Sequence, residues 1–107
     1  MKTFKLKMLT IKGNNERQEK QIPLLDGLII NREDDKNQWI IEAYIEQGYQ
    51  TFLEELFKKE DSLLLKVKIT KENNNPAFFN CIIIGVNRIG DNLNVLFKGT
   101  IVDSSTL

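Results

Sequence analysis

The 107-residue chain balances 15 basic against 15 acidic side chains, with no histidine and one cysteine. A chain of this length makes one domain, 1–107, burying roughly two-thirds of its unfolded surface. Balanced charge excludes a global field that would gather nucleic acid or anionic lipid, and the lack of histidine excludes the ordinary Ser-His and Cys-His nucleophile pairs.

Phe4, Leu6 and Met8 alternate with Lys5 and Lys7, which predicts a first strand over Thr3–Lys12. The apolar phase changes at Leu9 and Ile11, so a bulge or face switch is expected midway. Gly13-Asn14-Asn15 turns the chain, and the polar stretch to Lys20 reads as exposed loop or ragged edge. Pro23 keeps Ile22–Leu25 out of a central ladder position. Asp26-Gly27 reads as a turn, Leu28–Ile30 as a short buried strand, and Asn31–Gln38 as a charged connection. From Trp39 to Ile45 the residues alternate again, with Trp39, Ile41, Ala43 and Ile45 on one side.

The helix signal comes next. Tyr49, Phe52, Leu53, Leu56 and Phe57 fall on one stripe of a 3.6-residue period, predicting an amphipathic helix over about 49–60. Thr51 with Glu54 fits a capping box, and Glu54 and Glu55 stand four residues before Lys58 and Lys59, the favourable order for helical ion pairs. Three aromatics on that stripe suit a plug for one end of a barrel. Three long strands follow, over Leu63–Thr70, Phe78–Ile89 and Leu93–Val102, the last two joined through Gly90-Asp91-Asn92. Ile82-Ile83-Ile84 is apolar on both faces, so something is expected to cover each side of it. Strands, one helix, then strands, without regular alternation, predict a mainly β fold: a single antiparallel β-barrel of about 6–8 strands with the helix plugging or covering it.

The candidate sites are few. Cys81 lies mid-strand among apolar residues and reads as an inert packed thiol. It forms no internal disulfide, which suits a cytoplasmic chain, and no run is long enough to cross a bilayer. Ser62, Ser104 and Ser105 have no catalytic partner in sight. Glu33-Asp34-Asp35 lacks the spacing and turn glycine of a calcium loop and reads as solvated. Glu42 and Glu46 make an enzyme only by converging in a cleft. No cofactor or metal motif is present. Leu64 and Leu96 on nominally outer faces, with Ile82, Ile83 and Ile84, mark a candidate protein-contact or self-association surface. The alternative is an OB-like barrel binding single-stranded nucleic acid, with Lys5, Lys7, Lys66 and Lys68 as a basic stripe and Trp39, Tyr44, Phe78 and Phe79 as stacking aromatics.

Several segments together resemble the YwpF-like family of low-GC Gram-positive bacteria. They are the opening Met1-Lys2-Thr3-Phe4-Lys5-Leu6, the Ile22–Asn31 stretch before acidic residues, and Trp39–Tyr44. Ile69–Asn73 before Pro76-Ala77, and Val95–Thr100, complete the resemblance. It implies a β-barrel similar in shape to the tube-forming subunits of type VI secretion systems, with no established activity or functional residues to carry over. It also implies a helical extension beyond Leu107, whose absence would leave barrel surface uncovered. The expectation is a non-enzymatic, cytoplasmic protein-interaction or assembly module, forming a ring or dimer or holding a protein partner.

Overall fold

Alternation of apolar and polar residues becomes seven strands in a computed structural model that describes residues 1–13 and 19–102. They are β1 (Lys2–Gly13), β2 (Lys20–Ile22), β3 (Asp26–Asn31), β4 (Trp39–Glu46), β5 (Leu63–Ile69), β6 (Ala77–Ile89) and β7 (Asn92–Val102). A 3-10 turn, Gln47–Tyr49, leads from β4 into the helix α1 (Gln50–Lys59). The turn expected at Asn14-Asn15 and the tail serines Ser104 and Ser105 lie outside the described residues.

Six strands close in the order β1-β3-β4-β7-β6-β5 and back to β1, every pairing antiparallel. β2 is the extra strand, held against Leu9–Ile11 of β1, and it stops before Pro23 as a proline requires. Closure removes the exposed edges that long strands would otherwise present. An oligonucleotide-binding barrel is five-stranded and partly open; this ring has six strands and is shut.

Two bulges set which residues face inward. In β1 the register shifts between Leu6 and Met8, so Leu6 and then Leu9 and Ile11 all reach the core. The phase change in the sequence is that bulge. In β6 the register shifts at Ile84, since Ile83 pairs with Phe97 and Gly85 with Leu96. Phe79, Cys81 and Ile83 point inward before the shift, and Val86 packs against the core after it. Ile29, Ile41, Leu65, Val67, Val95 and Phe97 complete the filled interior.

The two ends are closed by different devices. Leu53 and Leu56 of α1 are buried against one end, and Arg88 of the β6–β7 hairpin ties to the turn there by donating to Gln47 Oε1 at 2.6 Å. Phe52 and Tyr49 are only partly buried and lie under the Lys20 ammonium, 4.6 and 5.6 Å from the ring centroids, while Phe57 is exposed. The plug is therefore two leucines with two aromatics at its rim. The expected capping box does not form. The 3-10 turn delivers the chain into the helix early, so Tyr49 is the N-cap, and Gln50 Nε2 donates to Glu54 Oε1 at 2.9 Å. Neither Glu54 nor Glu55 closes an ion pair with the following lysines among the described residues.

Two further expectations change. Asp26 and Gly27 begin β3 rather than forming a turn; a Cβ on Gly27 would lie 2.9 Å from Leu6 Cβ, so the glycine lets β1 and β3 approach. Leu28 faces outward and is exposed, so β3 alternates instead of being buried throughout.

Candidate functional site

Ile82 and Ile84 flank the buried Ile83 on β6 and are each 42% accessible on the outside of the barrel. Alternation forces this: an inward Ile83 sends both neighbours outward, and the bulge at Ile84 keeps that side chain out. Ile83 is 6% accessible, packed inside, and so drops out of the candidate surface. Coverage of both faces of the isoleucine run is also not found, because the protein's own elements leave Ile82 and Ile84 exposed. Leu96 stands outward and half-buried across from Gly85, and Leu64 stands outward on β5 opposite Asn80, next in line to Ile82. Four of the five candidate residues therefore share the outer surface of β5–β6–β7.

This wall continues onto neighbouring strands. Lys98 pairs with Ile82 on one side and with Ile40 on the other, and Glu42 pairs with Leu96 and Leu28. At the seam of β6 and β7 an open cleft of about 410 Å³ runs past Ile82, Lys98 and Gly99 to Gln38. A second cleft of about 370 Å³ adjoins it at Arg32, Asp34 and Lys36, again reaching Gln38 and Lys98. Gln38 Oε1 is buried in this region without a hydrogen-bond partner among the described residues. The seam is tight in its backbone: a Cβ on Gly99 would run into the Asn80 carbonyl oxygen and lie 2.7 Å from Cys81 Cα.

The acidic run is a loop built on its own hydrogen bonds. Backbone N–H groups of Lys36 and Gln38 donate to Asp34 Oδ1 at 3.1 and 3.0 Å. The Gln38 bond above all, then the Lys36 bond and the Arg32 and Lys98 charges, hold the Asp34 carboxyl below its ordinary value. Glu33 receives the N-terminal ammonium at 3.2 Å, and that bond, its charge and Lys2 hold the Glu33 carboxyl low as well. Asp35 stays exposed beside them, and no three acidic or thiol groups gather to hold a metal among the described residues. Burial pushes the Cys81 thiol up to about 12, the setting of a packed rather than a reactive cysteine.

The basic stripe forms, and its aromatics do not join it. β1 pairs with β5, with Met8 opposite Lys68 and Thr10 opposite Lys66, so Lys5, Lys7, Lys66 and Lys68 lie along one wall. Trp39 turns inward on β4, partly buried and edge-on to Phe79 with ring centroids 5.2 Å apart. Phe79 is fully buried and offers no face to a base, and Trp39 lends one of its sides to that contact. Tyr44 faces outward on β4, three strands around the ring from β5, and its hydroxyl accepts from Asn92 Nδ2 at 3.1 Å. Phe78 is half-buried opposite Lys66. No helix among the described residues is long and apolar enough to cross a membrane.

The sequence model of the YwpF-like protein family matches residues 2–106. The chain belongs to the YwpF-like family. An uncharacterised YwpF protein of Bacillus subtilis strain 168 is 36% identical over 104 residues, spanning 95% of this chain and 76% of that one. The crystal structure of a hypothetical protein from Staphylococcus aureus has the same fold, with a TM-score of 0.85 and 28% identity over 96% of this chain and 71% of that one. The YwpF-like barrel, its six-stranded closure and the helix α1 are thus the frame on which the Ile82–Leu96 wall is mounted.

Proposed function

We propose that this YwpF-like barrel is a non-enzymatic, cytoplasmic protein-interaction module that docks a protein surface on the outer wall of β4, β7 and β6. One observation carries the reading: Ile82 and Ile84, each 42% accessible, stand together on a closed barrel that needs neither for its core. Contiguous apolar side chains outside a core mark contact surfaces more often than single ones do. The non-enzymatic part is supported by the absence of histidine, the raised Cys81 thiol, and the four-residue separation of Glu42 from Glu46 along the extended strand β4.

A photo-crosslinking amino acid placed at Ile82, and separately at Lys66, tests the reading in living cells. Protein adducts identified by mass spectrometry should form from position 82 and not from position 66. Equal or absent labelling at the two positions would overturn it.

A second reading, single-stranded nucleic-acid binding, is favoured by the β1–β5 pairing that gathers four lysines on one wall. It requires salt-dependent affinity for a labelled oligonucleotide that falls in Lys66→Ala and Lys68→Ala. Binding that is absent, or indifferent to salt, removes it.

A further inference from the structure

The docking wall carries one acid and one base at its centre, and their placement bears on what fits it. Across β4 and β7, Ile40 pairs with Lys98 and Glu42 with Leu96. The four outward side chains make a quadrilateral with Glu42 and Lys98 on one diagonal, Ile40 and Leu96 on the other. All four are half-buried, and neither charge closes an ion pair among the described residues. Lys98 also acts on Asp34 at the edge of the wall, helping to hold that carboxyl low. Around this centre β6 adds Ile82 beside Lys98, and β3 adds Leu28 beside Glu42 and Ile30 beside Ile40.

Two identical faces meet isologously about a two-fold axis, so that a contact from one residue to another is made twice and only residues on the axis meet their own copies. An axis lying in the contact plane, perpendicular to the Glu42–Lys98 line, sets Glu42 of each copy over Lys98 of the other. The same axis passes close to Ile40 and Leu96, which then meet their own copies. A net charge of +0 leaves no long-range repulsion between copies. We infer that the β4–β7–β6 wall pairs two copies of this chain about such an axis, with Glu42 of each copy against Lys98 of the other. The inference rests on the reading of this wall as the docking face and names its occupant. On a closed six-stranded ring only the outward rows of β4 and β7 and their immediate rim face one contact plane, an area well under the roughly 800 Å² per partner of a standard interface. The dimer is therefore reversible, with dissociation in the micromolar range or weaker.

Light scattering behind a sizing column, run up to about 1 mM, reads the outcome. The full chain should move from 12.4 kDa toward twice that mass as concentration rises. Glu42→Lys and Lys98→Glu, each alone, set like charges together and should weaken pairing by on the order of tenfold or more. An equimolar mixture of the two variants should pair again, because in the mixed dimer both cross-contacts join opposite charges. That rescue does not depend on either variant's own stability. A wild-type chain monomeric at every concentration overturns the pairing, while a protein adduct from position 82 would still leave the docking wall standing with another partner. A dimer lost in Leu96→Glu but indifferent to both charge reversals keeps the wall and overturns the two-fold placement. A dimer that survives Leu96→Glu overturns both the pairing and the wall.

Discussion

The β1–β5 wall and the β4–β7–β6 wall arise from the same inward alternation, yet they show solvent opposite chemistry. On the first, Leu65 and Val67 point in and Lys66 and Lys68 point out. On the second, Ile83 and Phe97 point in while Ile82, Ile84 and Leu96 point out. The interior demands apolar residues at every second position whichever wall is considered; the outer positions are free of that demand. Lysine on an outer face is what water asks for. Isoleucine there costs solubility without helping the core, which is why the proposed contact is placed on the second wall and not the first.

The largest expected difference separates neighbours on one strand. Ile83→Ala should destabilise by about 2–5 kcal/mol, because it leaves a cavity in the packed interior. Ile82→Ala should stay within about 0.5 kcal/mol, as an outward position does. Urea midpoints of the two variants measure this, and equal losses would break the inside–outside assignment of β6. Next comes the seam of the apolar wall. Gly99→Ala presses a methyl into the Asn80 backbone, which no rotamer change relieves, and should cost about 1–3 kcal/mol, seen as a lowered Tm.

Reversing the lysine wall should do far less. Lys66→Glu with Lys68→Glu should leave stability within about 0.5 kcal/mol and the light-scattering mass unchanged, whereas Leu96→Glu should lower the mass. Loss of association from the lysine variants would move the contact to the β1–β5 wall. Cys81 sharpens the contrast from inside. With its thiol raised from 9.0 to about 12, the folded protein should resist iodoacetamide at pH 8 and react once urea unfolds it. A raised thiol binds its proton more tightly when folded, so its contribution is full below 9.0 and lost as pH rises toward about 12. The smallest effect lies at the rim. Glu33 and Asp34 have lowered carboxyls, so their contribution is full above the ordinary values of 4.5 and 3.8 and lost as pH falls through the lower folded ones. Asp34→Ala should remove part of that acid dependence and speed amide exchange at Lys36 and Gln38, whose N–H groups it releases.

Local pattern carried much of this molecule. The chain by itself determined the strands of the ring apart from the start of β3, the helix at Gln50–Lys59, the phase slip before Leu9 and the hairpin at Gly90, because each depends on residues a few positions apart. Of the candidate surface, Leu64 and Leu96 were legible as apolar residues on outer faces, and Ile82 and Ile84 only as part of a run apolar on both. Ile83 was not separable from them, since a run of three isoleucines does not say which one faces in. Tertiary structure decided that, by pairing Ile83 with the buried Phe97 and placing the bulge at Ile84. It also decided the ring order, the turning of Trp39 inward onto Phe79, and the meeting of Glu42 and Lys98 on one diagonal. The physical reason is shared. Alternation tells which residues of a strand lie on the same face, but only pairing between strands distant in sequence tells which face is inside and what stands beside it.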